Sequence, residues 1–310
     1  MAKSIIKKLI GTLSIFILVF VFPAKADVTR TINDEMGELS LSGTPKRIVA
    51  LEFSFVDAMA AVNIAPLGIA DDNKPERLIP AVTQVVPEWT SVGSRYQPSL
   101  EVIADLKPDL IIADVERHSA IYDDLKRIAP TLIIKSRGET YQENLDAVIK
   151  VGKAINREET MKQRLALHKQ RMASFKAQLK SIKPTFAENT IQFAVISERG
   201  MWMHGPTSYA GGVVNQLGLR SPIPEQISTA YIPTSLELLL KANPDYLLIG
   251  RYSDNTVLEE WKKNPLFSML TAKKKGHIIE ISPGLWSLSR GMLAAEGVAQ
   301  DLVRIFGEES

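Results

Sequence analysis

The chain has 310 residues, no cysteine, 45% hydrophobic and 23% charged residues, an ordinary globular composition at a length that suggests two domains. The missing cysteine excludes thiolate zinc sites, iron–sulfur clusters, cysteine nucleophiles, disulfides and a bacterial lipoprotein anchor. Four of the 37 Lys and Arg residues and none of the 35 Asp and Glu lie in 1–26, so the remainder carries 33 bases against 35 acids and gives no electrostatic motive for binding nucleic acid.

Residues 1–26 read as a secretory signal. Lys3, Lys7 and Lys8 form a positive start, Leu9 to Phe22 is an uncharged run of 14 residues, and Ala24-Lys25-Ala26 fits signal peptidase. The run is short for a membrane span, which needs about 20 residues. Cleavage after Ala26 would leave a soluble chain from Asp27. Export without a lipid anchor points to the periplasm of a Gram-negative bacterium.

Beyond the signal, strand-like and helix-like segments alternate. Arg47 to Leu51 reads as a strand and Phe55 to Val62 as a helix. Leu110 to Ala113 and Thr131 to Ile134 read as strands around a helix at 119–128. Such alternation implies α/β architecture with mostly parallel sheets. The pattern then recurs at an offset of 136: PSLEVIADLKPDLIIAD (98–114) aligns with TSLELLLKANPDYLLIG (234–250). Ser99 and Ser235 sit at the N-cap position, Glu101 and Glu237 in the first turn, and Pro108-Asp109 and Pro244-Asp245 lead into a strand. Two similar lobes follow, at 27–156 and 183–310. Between them, 157–182 is rich in helix formers, with Leu165, His168, Met172, Phe175 and Leu179 at helical spacing. A helix of about 25 residues spans ~37 Å. It predicts a rigid strut, little hinge motion and a ligand cleft between the lobes.

No GxGxxG, GxxxxGK[ST], GxSxG or HExxH motif occurs, and the four histidines are not paired at metal-ligand spacing. His168 falls on the strut and His277 after a lysine run; His118 and His204 fall near the cleft. The arginines are more informative. Arg95, Arg117, Arg137, Arg199 and Arg251 each follow the carboxyl end of a predicted strand, and Arg290 lies in the loop after Ile278 to Ile281. Ligands of open α/β sheets bind beyond those ends, and guanidinium forks suit carboxylates. Three arginines per lobe across one cleft imply a strongly anionic ligand. Glu116, Glu139 and Glu198 are neighbours able to neutralise some of them.

Paired lobes, a long connecting helix and the repeated S-L-E…P-D motif resemble the helical-backbone class of substrate-binding proteins, which serve ABC importers of ferric siderophores, haem and cobalamin. The segments 47–58, 68–73, 91–101, 109–118 and 135–141 resemble its iron(III) dicitrate-binding members. The resemblance implies a binding protein without catalysis or intrinsic cofactor, with iron(III) arriving inside the ligand. It implies an inner-membrane ABC permease as partner, docked through Glu101 and Glu237, and a pocket position for Trp286. Tyr96, Tyr141, Tyr231 and Tyr252 are phenolate candidates, but citrate can fill the iron's coordination shell, so no direct metal ligand is assigned. The alternatives are another ferric siderophore (carboxylate or hydroxamate) or cobalamin and, in a different class, an exported hydrolase of an anionic substrate.

Overall fold

Each copy of the repeated pattern builds one five-stranded sheet in the computed structural model, which describes residues 29–185 and 188–308. The expected signal and its cleavage point lie outside the described residues. A hairpin of β1 (Arg30–Asp34) and β2 (Gly37–Leu41) comes first. The first sheet contains β3 (Ile48–Ala50), β4 (Gly68–Ile69), β5 (Thr90–Ser91), β6 (Leu110–Asp114) and β7 (Thr131–Ile134). Its order is β5-β4-β3-β6-β7 and every pairing is parallel. The second sheet contains β8 (Ile191–Ser197), β9 (Gly200–His204), β10 (Tyr231–Thr234), β11 (Tyr246–Arg251) and β12 (Ile278–Ile281). Its order is β10-β9-β8-β11-β12. Here β8, β11 and β12 run parallel, whereas β9 and β10 are antiparallel additions.

The repeat has a mechanical meaning. The Oγ of Ser99 accepts the Val102 N–H and that of Ser235 accepts the Leu238 N–H, each at 3.3 Å, so both serines cap helices. Lys107 and Asn243 end those helices in the left-handed region, at φ 45° and 42°. The following Asp109 accepts the amides of Lys46 and Arg47 at 2.8 and 2.9 Å, at the entry to β3. Asp245 accepts the Thr190 amide and hydroxyl, both at 3.0 Å, at the entry to β8. The same aspartate thus aligns the central parallel pair in each lobe.

The strut is a 25-residue helix, Glu158–Ile182, with Met161, His168, Met172 and Leu179 buried along one face. It packs on the last helix, Met292–Gly307, where Glu296 takes Arg164, His168 and Arg171 at 2.8 Å each. Burial works against that carboxylate, but the three bases outweigh it and hold its pKa down at about 2. The largest apolar core joins inner faces of both sheets, including Phe53, Phe55, Phe193, Tyr246 and Trp286, to the strut and the last helix. Two smaller cores fill the outer side of each lobe. Among the described residues no helix is long and apolar enough to cross a membrane.

Candidate ligand-binding cleft

Strand order in the first sheet reverses between β3 and β6, and the charged side chains gather beyond the carboxyl ends there. That is the position where open α/β sheets bind ligands. Glu52 follows β3, Asp72 follows β4, Arg95 follows β5, Arg117 follows β6, and Ser136 and Arg137 follow β7. Glu52 is fully buried. It ion-pairs with Arg117, with Arg290 at 3.2 Å and with Arg95 at 3.7 Å. Arg290 comes from the second lobe's loop before the last helix, so the carboxylate joins guanidiniums of both lobes.

Each inner guanidinium is held on several sides. Arg95 donates Nε and Nη2 to Asp72 at 3.0 and 2.7 Å, and its Cζ lies 4.2 Å from the centre of the Phe53 ring. Arg290 donates to Glu139 at 3.1 Å and to Ser136 Oγ at 2.9 Å. Arg117 stacks over Tyr96 at 4.3 Å, and its Nε is buried without a hydrogen-bond partner among the described residues. At the rim, Arg137 is exposed and donates to the Tyr96 hydroxyl at 2.8 Å, and Arg77 donates to Asp72 at 2.6 Å.

The carboxyls respond to these surroundings in opposite ways. Burial raises Asp72, but hydrogen bonds and charge from Arg95 and Arg77 outweigh it and hold its pKa at about 2. Burial pushes Glu139 up to about 8 against the pull of Arg290 and Asn144. Four guanidiniums (Arg77, Arg95, Arg117, Arg290) therefore share three contacting carboxyls, and Arg137 adds a fifth that contacts none of the three. Asp71 and Asp114 lie nearby but turn elsewhere. Asp71 accepts from Asn73 N and Trp89 Nε1; Asp114 accepts the amides of Arg117, Ser136 and Arg137.

The remaining candidates divide by location. Arg199 is exposed in the β8–β9 turn. Arg251 ends β11 and pairs with Glu280 at 2.8 Å and Glu259 at 3.5 Å, outside the Glu52 network. Trp286 is 1% exposed, with Nε1 donating to Asp301 at 2.9 Å and its ring 5.4 Å from Phe193, so it backs the wall and presents no face to the cleft. Glu101 and Glu237 are exposed in the first turns of matching helices. His118 is buried, with Nδ1 taking the Asp114 amide at 3.0 Å and Nε2 next to the Arg95 carbonyl at 2.9 Å. Burial lowers its pKa, which makes it a neutral brace. His204 is pushed down to about 3 by burial and packs between Phe193 and Tyr231. Tyr141 is tied to His168 at 2.6 Å. Tyr96 and Tyr252 keep exposed surface.

Glu52, Asp72 and Arg77 did not stand out in the sequence. The strand-end rule that selects the arginines also selects Glu52 and Asp72. Arg77 ends a 3-10 turn, Pro75–Arg77, and has no strand before it.

Close by, Asp57 crosses between lobes. Its carboxylate accepts the amides of Leu293 and Ala294 at 3.1 and 2.9 Å, capping the last helix from the first lobe. Gly291 makes the approach possible: at φ 145° it has no Cβ, and one placed there would lie 2.1 Å from Asp57 Oδ1. Burial pushes Asp57 up to about 7 despite these amides.

Comparison with known proteins agrees with this architecture. Over 277 residues the chain is 42% identical to the Fe(3+) dicitrate-binding periplasmic protein FecB of Escherichia coli K12, covering 89% of this chain and 90% of that one. It is 41% identical to the Fe(3+)-citrate-binding protein YfmC of Bacillus subtilis, covering 89% and 85%. Staphylococcus aureus SirA complexed with staphyloferrin B superposes with TM-score 0.77 at 22% identity, over 89% of this chain and 97% of that one, which is a likeness of fold. The model of the periplasmic binding protein family matches residues 48–285, a span that holds both sheets, the strut and all but one of the guanidiniums gathered at Glu52; the chain therefore belongs to that family of substrate-binding proteins, which are not enzymes.

Proposed function

We propose that the chain captures ferric dicitrate in the periplasm of a Gram-negative bacterium and delivers it to an inner-membrane ABC permease, after cleavage of residues 1–26. The observation that carries the reading is the surplus of guanidiniums over the carboxylates that contact them. In a partly dry cleft that surplus favours a ligand supplying several carboxylates at once. The relatives named for ferric citrate fit the same chemistry.

In this reading the lobes 27–156 and 183–310 form the two walls, and the helix 157–182 holds them apart. Arg117 and Arg137 meet the ligand from the first lobe, with Arg95 beneath them. Arg199 and Arg251 approach from the second lobe, Arg290 anchors the cleft floor, and Trp286 stiffens the wall through Phe193. Glu101 and Glu237 face the permease. The iron enters inside its citrate shell, with no protein ligand assigned and no intrinsic cofactor. Titration of the mature protein, followed by tryptophan fluorescence at fixed salt, tests the reading. Saturable quenching by ferric dicitrate, without turnover and weaker with a neutral ferric hydroxamate, is expected. Equal affinity for the hydroxamate, or no binding of ferric dicitrate, overturns it.

A further inference from the structure

We propose that Asp72 is a built-in competitor for the ligand's carboxylates, and that it sets how many carboxylates a ligand must bring to be held. The inference rests on the anionic-ligand reading and deepens it. Asp72 Oδ2 occupies the Nε–Nη2 edge of Arg95, the edge on which a citrate carboxylate would make a forked contact. The other sides of Arg95 are taken by Glu52 and Phe53, and the residue is 3% exposed. The same Oδ2 takes Arg77. A ligand that engages Arg95 must therefore replace Asp72.

Two observations separate Asp72 from Glu52, which also binds Arg95. The first is access: the Asp72 side chain keeps 10% of its surface and its partner Arg77 keeps 29%, whereas Glu52 has none. A ligand entering from solvent reaches Asp72 first. The second is the backbone. Asp72 and Asn73 are consecutive left-handed residues at φ 62° and 53°, neither of them glycine. That is a conformation costly for most L-residues but open to Asp and Asn when local hydrogen bonds support it. Here Asp71 supports it by accepting Asn73 N at 2.9 Å and Trp89 Nε1 at 3.0 Å. The loop is thus fixed so as to hold one carboxylate against Arg95.

The consequence is selection by charge. Exchanging one carboxylate for another on the same guanidiniums gains almost nothing, so a ligand offering a single carboxylate is not retained. A ligand with several carboxylates displaces Asp72 with one and binds Arg117 and Arg137 with others, an advantage of linked contacts. Asp72 stays ionised across the physiological range, so the competitor is always present.

Asp72→Asn tests this without breaking the loop. Asparagine tolerates the left-handed conformation and keeps the acceptor for the Arg95 amide, which donates to Oδ1 at 2.9 Å. Its NH2 would face the three donors now held by Oδ2 and release Arg95 and Arg77. Affinities for ferric dicitrate and for ferric nitrilotriacetate, which has fewer carboxylates, are measured in both proteins by fluorescence, with circular dichroism and thermal melting as folding controls. The variant is expected to bind ferric dicitrate ~10-fold more tightly, the equivalent of one released competing contact. Ferric nitrilotriacetate should gain more, so the preference between the chelates narrows. Wild-type binding with unchanged or weaker binding in the folded variant would show that Asp72 positions Arg95 for the ligand, and would overturn this inference alone. Binding of neither chelate to either protein overturns the inference together with the functional reading.

Discussion

Replacing Glu52 with glutamine isolates what its charge does. The side chain is fully buried among Arg95, Arg117 and Arg290, whose side chains are 4%, 7% and 6% exposed. Glutamine keeps the size and one acceptor oxygen, so packing is preserved while three guanidiniums lose their shared anion. Removing one partner of a buried ion pair typically costs about 3–5 kcal/mol, because the surviving charge is left without compensation. The retained acceptor places Glu52→Gln near the lower end, at about 3 kcal/mol. For a chain of this size each kcal/mol moves the melting midpoint by about 2–4 °C, so a fall of roughly 6–12 °C is expected.

The loss should depend on the arginines. Adding Arg117→Met to Glu52→Gln should recover part of the stability, since the second change removes one of the stranded cations, and the two residues are in contact and hence non-additive. Urea unfolding of the four proteins of the cycle, without ligand and at about 100 times Kd of ferric dicitrate, provides the assay. Bound ligand adds about 2.7 kcal/mol at that concentration. In thermal melts run alongside, a Glu52→Gln protein melting within about 1 °C of wild type, or in urea a double variant that is simply the sum of its parts, would refute the view that Glu52 holds the guanidinium cluster together.

Asp57 and Glu139 have folded-state pKa values raised to about 7 and about 8, so the stability they contribute is fully present below about pH 4 and lost as pH rises through those values. The urea midpoint should therefore fall between pH 5 and 8, and Asp57→Asn should flatten that slope; a midpoint rising over the window would contradict the assignment. Arg117→Ala should weaken ferric dicitrate binding ~100-fold, as for a central charge, while Arg251→Ala, already paired with Glu280, should change it less than ~5-fold. Equal losses in the two variants would place the ligand nearer the second lobe. Glu101→Arg and Glu237→Arg should leave ligand affinity within twofold but reduce uptake by cells, and normal uptake in both would leave these glutamates as helix-terminus residues only.

Much of the fold was legible because its signals are local. The strands Thr131–Ile134 and Ile278–Ile281 have the bounds their apolar runs imply, and the Ser-capped helices and Pro-Asp turns of the repeat lie where their chemistry demands. The antiparallel β9 and β10 were less visible. Trp202 lies within β9 and is half-buried there, and these short strands have neither the parallel core's apolar run nor a repeat partner. For the site, strand ends located the arginines but not their depth. Burial depends on contacts distant in sequence: Arg290 lies 238 residues from Glu52 and 151 from Glu139. Asp57 had a usable signal, as the lone charged residue in the buried, mostly apolar helix Phe53–Ala60, yet the amides it caps belong to the other lobe.

These long-range contacts converge on one short segment. Arg290 reaches Glu52 and Glu139, Gly291 exchanges hydrogen bonds with the Tyr209 hydroxyl at 2.5 and 3.0 Å, and Leu293 and Ala294 donate to Asp57. The segment that stitches the lobes together thus also supplies the cleft with a cation. Separating the lobes would expose a buried carboxylate bound to three arginines and uncap the last helix, while Glu296 keeps that helix fixed to the strut. Opening and loss of cleft charge are therefore one event. Under the proposed reading, a partner that pulls the lobes apart would weaken the ligand's site without touching the ligand.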